Sequence, residues 1–341
     1  MGITVNSDTM KKINRNEVLR LIRKKPCSRV SLAKKMKLTR SALSVICEEL
    51  LKEKLIIEGE KEVSGGRPAV TLKINPDYGV FGGIHFTRNS YTVGICDFAG
   101  NTIDETHGKI IATNPEQSLK NMYNDLKSLV KTRALVSVGI SAPGPLSRAD
   151  GTLGKVANFS KWSNLNIAEY FSSKLKVKCI LDNFSNALAY AEYPINPACK
   201  TDYLELIIDS GFGSCVARTN GGIQLSECEL GHTTVDMNGE KCDCGNVGCA
   251  ELYVNENKYN GSSLEKEKFY TALASVLINA YNTFGVNKVV FNGAVLDNFD
   301  KFAENLNNVL TKRGQTFTLL PSMLKHKETF VACSLAIFDN E

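Results

Sequence analysis

Three short runs of apolar residues recur at helical spacing near the N-terminus, after which the pattern changes to compact strand-like blocks. Val18, Leu19, Leu21 and Ile22 predict a first helix, opened by Asn14 or Asn16 and stopped at Lys24–Lys25–Pro26. Ser28 is placed to cap a second helix that carries Val30, Leu32, Ala33 and Met36 and ends near Lys37. Thr39 is placed to cap a third, with Leu43, Ile46, Cys47 and Leu50 on one face and Arg40, Ser41, Ser44, Val45 and Glu48 on the other. Two apolar stretches, Leu55–Glu58 and Ala69–Ile74, then bracket a Gly-rich tip from Lys61 to Pro68. Three helices followed by a two-stranded wing predict a winged helix-turn-helix over residues 1–74.

From Tyr78 onward strands alternate with helices. Val80–Phe86 and Tyr91–Asp97 are separated by a hairpin-like Thr87–Ser90, and a third strand begins at Asn101. Asn114–Pro115 opens a helix running to about Lys131, and the buried strand Leu135–Ile140 ends in Ser141–Ala–Pro–Gly–Pro–Leu146. Further strands are read at Val177–Leu181, Tyr203–Ile208 and Lys288–Gly293, with a helix around Ala187–Glu192 and a long one from about Leu264 to Thr283. The alternation predicts an α/β body in two lobes with a cleft between them.

Charge divides the chain at the same place. Residues 1–73 hold 17 Lys plus Arg against 8 Asp plus Glu, whereas the rest hold 24 against 28, so the overall excess of +5 hides a basic head on a mildly acidic body. A basic head suits a polyanion. The outward face of the third helix is short, polar and positive at its N-terminal end, which fits a helix entering a major groove. The candidate DNA contacts are therefore Ser28, Arg29, Thr39, Arg40, Ser41, Ser44, Val45 and Arg67. Arg67, after the flexible Ser64–Gly65–Gly66, reads equally as a minor-groove contact and as part of an interdomain hinge. A protein-binding module of the same three-helix plan is the alternative.

The 341 residues exceed one ordinary domain, and 43% apolar with 23% charged residues is a globular composition. No apolar run approaches the roughly 20 residues of a membrane span, and the N-terminus lacks a signal-peptide pattern, so a cytoplasmic protein is expected. Of the 11 Cys, most are scattered inside apolar segments, as reduced thiols would be. Three are not scattered. His232, Cys242, Cys244 and Cys249 have the donor types and spacing of a single tetrahedral Zn2+ site, lying between Glu229 and Glu251. Four protein ligands leave no open position, so such a zinc braces a loop and performs no chemistry; an iron–sulfur cluster is the rival.

The His232/Cys242/Cys244/Cys249 signature with Glu251, the Ser64–Gly–Gly–Arg–Pro68 segment after the winged helix and the Pro143–Gly–Pro145 turn together resemble the ROK family of repressors, open reading frames and sugar kinases. In layout the chain is similar to the repressor branch, such as the xylose and N-acetylglucosamine repressors. The resemblance implies an actin-like, ribonuclease-H-like body whose cleft binds a sugar or sugar phosphate, with lobes at 75–190 and 191–341 and a C-terminal helix able to return to the first lobe. It also implies that Gly144, Asn158, Asn183, Glu229, His232 and Glu251 line the sugar pocket, and that operator DNA is bound by a homodimer or higher homo-oligomer. Trp162 could lie over a sugar face or fill the core.

Catalysis is a different matter. Family kinases carry Asp-x-Gly-Gly-Thr where this chain has His85–Phe–Thr–Arg–Asn89, and a Gly-rich second phosphate loop where it has Asp209–Ser–Gly–Phe–Gly–Ser–Cys215. Their general base corresponds to Phe184, and a phenyl ring accepts no proton. The expectation is thus a sugar-responsive regulator that is not an enzyme. A kinase with a displaced base, and a regulator controlled by a protein partner, are the alternatives.

Overall fold

The computed structural model describes residues 7–62, 68–156, 159–220, 222–325 and 327–339. Helix α1 runs Ser7–Lys24, about two turns longer at its start than Asn14 or Asn16 as caps would allow. Both asparagines lie inside the helix. Its early turns are tied to the third helix by Lys11–Glu49 at 2.7 Å and by a two-pronged Arg15–Glu53 pair, contacts that no local capping signal announces. Helix α2 (Arg29–Met36) is capped by the Ser28 hydroxyl, which accepts from Ser31 N, and α3 (Arg40–Lys52) by Thr39, which accepts from Ala42 N at 3.2 Å. Of the apolar residues of α2, Val30 is 51% exposed, because Leu32 and Ala33 take the core positions of this two-turn helix.

A three-stranded antiparallel sheet completes the head, ordered β1 (Cys27–Ser28), β3 (Ala69–Ile74), β2 (Ile56–Glu62). The head does not keep a core to itself. Val18, Leu19, Leu43, Leu50 and Leu72 belong to one buried cluster with Phe81, Cys96, Phe98, Ile180, Cys333 and Ile337 of the body. Phe98 is the pivot, stacked on Phe81 at 5.4 Å, against Tyr78 at 5.3 Å and beneath the Arg23 guanidinium, whose Nε donates to the Phe98 carbonyl at 3.1 Å.

The body holds two mixed five-stranded sheets. The first contains β4 (Val80–Phe86), β5 (Ser90–Cys96), β6 (Thr102–Lys109), β7 (Leu135–Ala142) and β10 (Lys178–Asn183), in the order β10-β7-β4-β5-β6. Strands β4, β7 and β10 are parallel, and β5 and β6 continue as an antiparallel meander. Helices α4 (Pro115–Val130) and α5 (Ile167–Leu175) cover one face, with the two-residue strands β8 (Leu146–Ser147) and β9 (Thr152–Leu153) between β7 and α5.

The second sheet contains β11 (Tyr203–Ile208), β12 (Phe212–Arg218), β13 (Gln224–Glu227), β14 (Lys288–Gly293) and β15 (Thr318–Pro321), ordered β13-β12-β11-β14-β15. It repeats the plan, with β11, β14 and β15 parallel and an antiparallel flank. The short α7 (Glu256–Tyr259) precedes α8 (Ser263–Phe284), and α8 packs with α9 (Phe299–Lys312) over an aromatic core of Phe269, Phe291 and Phe302.

Helix α6 (Phe184–Ile195) sits between the two sheets, and α10 (Glu328–Asp339) returns to lie across β4, β5 and β7. The return depends on missing side chains. A Cβ on Gly139 would stand 1.9 Å from Ala332 O, and one on Gly83 would stand 2.6 Å from Thr329 O, so glycines cut the trough that admits the α10 backbone. At the centre of β11, Glu205 is fully enclosed, and neither carboxyl oxygen has a hydrogen-bond partner among the described residues. No helix among the described residues is long and apolar enough to cross a membrane.

Candidate metal centre and ligand cleft

Candidate residues collect around the carboxyl ends of the parallel strands β7 and β10. After β10, Asn183 caps α6 by accepting from Asn186 N at 2.8 Å and from Ser185 Oγ at 2.9 Å. The single Ser185 hydroxyl hydrogen is shared between Asn183 Oδ1 and Ser214 O of β12, the latter at 3.0 Å, and so links the halves of the body. After β7, the turn at Gly144 lies under the second half: a Cβ placed on Gly144 would be 3.5 Å from Glu229 Oε1. Glu251 Oε2 accepts from Phe212 N at 2.9 Å, which anchors that carboxylate at the β11–β12 loop. Gly144, Asn183, Glu229 and Glu251 therefore border one seam, whereas Asn158 lies outside the described residues.

The polar loop from Glu229 to Glu251 is built around its donors. Ser214 Oγ contacts Cys228 O and accepts from Leu230 N, fixing the short turn Leu230–His232. Gly248 is required by its conformation (φ +63°) and because a Cβ there would overlap Asp236 O at 1.6 Å. These constraints bring His232, Cys242, Cys244 and Cys249 together, with one ligand atom from each lying within 4.8 Å of the others. His232 Nδ1 is 3.7 Å from Cys242 Sγ, and Cys244 Sγ is 3.6 Å from Cys249 Sγ. Sulfur atoms bound at about 2.3 Å to one tetrahedral zinc stand about 3.8 Å apart. The donor set fits the ion, and the four side chains could hold it as a closed structural centre.

Two positions at which the kinase pattern is broken touch each other. His85 and Phe184 pack with ring centroids 4.2 Å apart, and His85 Nδ1 lies 2.9 Å from Ser141 Oγ. Burial pushes the imidazole down to about 4, so it is neutral near pH 7. Asp182 is also enclosed and engaged by Arg148 at 2.6 Å and by Asn186 at 2.8 Å. Desolvation raises its acid above the usual range, with Arg148 working the other way. Asp209 uses Oδ1 to accept from Ala294 N, which holds the ends of β11 and β14 together.

Comparison with known proteins agrees with this geometry. Residues 81–268, more than half of the sequence, match the model of the ROK family. The chain belongs to the ROK family. It is 26% identical to a xylose repressor of Bacillus spizizenii over 358 aligned positions, covering 92% of each. It is also 26% identical to the transcriptional dual regulator NagC of Escherichia coli over 263 positions, covering 72% of this chain and 63% of that one. Among solved structures, a ROK family transcriptional regulator homologous to the E. coli MLC protein superposes with a TM-score of 0.79 at 20% identity, covering 97% of this chain and 96% of that one. A ROK family glucokinase from Streptomyces griseus gives 0.63 at 16% identity over 76% of this chain and 99% of its own. These structural likenesses show a shared α/β fold.

On the head, Arg40, Ser41 and Thr39 are exposed and Val45 is 53% exposed, whereas Ser44 is half-buried with its hydroxyl donating to Arg40 O. Ser28 is buried and its hydroxyl is engaged in capping α2, so its side chain is not presented to an outside partner. Arg29 lies 3.6 Å from Glu58 of β2. Arg67 lies outside the described residues. Trp162 is fully enclosed and stacked on Phe159 at 4.7 Å, so it fills the core of the first sheet and faces no cleft. Sequence reasoning missed Ser141, Arg148 and Phe98, each of which acts on a residue far away in the chain and carries no local motif.

Proposed function

We propose that this ROK protein is a sugar-responsive transcriptional repressor, with a winged helix-turn-helix head that reads operator DNA and an actin-like body that binds sugar without phosphorylating it. The observation that carries the reading is α3. Its Leu43, Ile46, Cys47 and Leu50 are sealed in the head core while Arg40, Ser41 and Val45 stand exposed at its N-terminal half. Short side chains around one guanidinium, on a head of net charge +9, suit base edges and phosphates. The xylose repressor of B. spizizenii aligns along 92% of both chains, which leaves too little uncovered to omit the whole head and supports the same assignment.

In the body, Glu229 and Glu251 would accept from sugar hydroxyls, with Gly144, Asn183 and His232 beside them, and Asn158, outside the described residues, is assigned to the same pocket by the family resemblance. A zinc ion held by His232, Cys242, Cys244 and Cys249 would supply rigidity to the loop that carries both carboxylates. Phosphoryl transfer is opposed by Phe184 at the base position and by the neutral His85 packed against it. A two-fold operator requires two heads, so the working form is a homodimer or larger homo-oligomer.

Fluorescence anisotropy with operator fragments, selected by mapping the DNA bound in the cell, tests the reading. Arg40→Ala should weaken specific binding by about tenfold or more, corresponding to the 1–3 kcal/mol of one base contact. Duplex binding that is absent at low salt, or steady ATP consumption on a hexose, would overturn it.

A further inference from the structure

We propose that the His85–Phe184 ring pair is a specificity-determining wall of the cleft, and that the effector is an uncharged sugar presenting a bare methylene or a methyl group where a hexose presents its hydroxymethyl. This inference rests on the cleft reading above and adds the ligand class.

The wall stands where the first sheet ends: His85 is at the end of β4's pairing with β7, and Phe184 is the first residue of α6, directly after β10. Ligands of open α/β sheets bind outside the carboxyl ends of parallel strands, which is where these rings lie. Phe184 is half-buried, packed on one side against His85 and against the cluster that contains Ala187, Ile207 and Val331. Polar groups beside the wall are already engaged. His85 Nδ1 pairs with Ser141, the Asn183 carbonyl caps α6, and the Ser185 hydroxyl is held by Ser214 O. A sugar hydroxyl brought here would leave water for acceptors that are already engaged, whereas a C–H edge would lie against aromatic carbon.

The other side of the seam has the opposite character. Glu229 and Glu251 offer acceptor oxygens, which suits the run of ring hydroxyls on a pyranose. A pentopyranose ends in CH2 at C5 and a 6-deoxyhexose ends in a methyl, so either can turn its hydroxyls to the carboxylates and its bare end to the rings. A sugar phosphate has no such orientation. Its dianion would meet the neutral rings or the carboxylates, and the nearby Arg148 is already paired with the buried Asp182 at 2.6 Å.

The test is calorimetric titration of the full-length, metal-replete protein with two matched sets: D-xylose, 6-deoxy-D-glucose and D-glucose, and L-arabinose, D-fucose and D-galactose, with glucose 6-phosphate added. In at least one set the pentose and the deoxy sugar should bind tenfold or more tightly than the hexose, and the phosphate should not bind. Phe184→Asp should erase or reverse that preference, and Phe184→Leu, which keeps an apolar wall, should retain it. Should Phe184→Asp fail to fold, Phe184→Asn carries the same expectation. A hexose binding as tightly as its deoxy partner sinks the wall while leaving the cleft reading standing, and so does a preference that survives Phe184→Asp or Phe184→Asn. If no sugar binds at millimolar concentration, both fall together.

Discussion

Burial acts in opposite directions on two side chains that can carry charge. Glu205 has no hydrogen-bond partner among the described residues, and desolvation, reinforced by Glu192, holds its carboxyl well above the usual carboxylate range. In the unfolded chain the same acid ionises near 4.5. The folded state therefore binds more protons above that value, and stability falls by about 1.4 kcal/mol per pH unit for as long as the folded acid stays protonated. His85 has its pKa depressed from 6.5 to about 4, so its contribution is complete above 6.5 and is lost as pH falls through that window. Replacing Glu205 by Met should raise the melting temperature, with the gain widening from pH 5 to pH 8. A gain that stays constant across that range would mean that Glu205 is not held protonated in the fold.

At the scale of elements, the loop between β13 and α7 carries the most chemistry with the least regular structure. Its order comes from one polar hub at Ser214, one obligatory glycine at 248 and four converging donors. Removing a donor should free the whole segment, because few apolar contacts replace the metal. Cys244→Ser is expected to lower bound zinc from one ion per chain toward none, and to expose residues 233–249 to proteolysis before the rest of the body opens. A Cys244→Ser protein retaining a full equivalent of zinc would show that the ligand set is wrong. Helix α3 is the contrasting element: its cap, its buried stripe and its exposed face are all written within 14 consecutive residues.

For the whole molecule, the shared core between head and body is the feature with consequences. Phe98 is fully buried against Tyr78, Phe81 and Arg23, while α10 touches the first sheet and α6 alike, and α6 begins at the cleft. A ligand that favours one arrangement of α6 can therefore bias the position of the head through packed contacts, provided it binds the two arrangements with different affinity. Phe98→Ala should cost about 3 kcal/mol of stability. It should also uncouple DNA affinity from sugar, measured as operator binding with and without the ligand. Undiminished coupling in that variant would place the relay elsewhere.

What the sequence determined by itself was whatever depends on near neighbours. The caps at Ser28 and Thr39, the buried stripe of α3, the main strands of the body and the four donors from His232 to Cys249 follow from spacings of a few residues, where backbone geometry leaves little choice. The early start of α1 was not legible, since its first turns are held by Glu49 and Glu53, nearly 40 residues away. Only the tertiary structure decided that Trp162 is core, that Ser28 is buried, that His85 meets Phe184, and that the head shares its interior with the body. Those outcomes depend on which surfaces meet after the sheets have formed, and burial of apolar area is non-directional, so no local pattern of residues specifies the partner in advance.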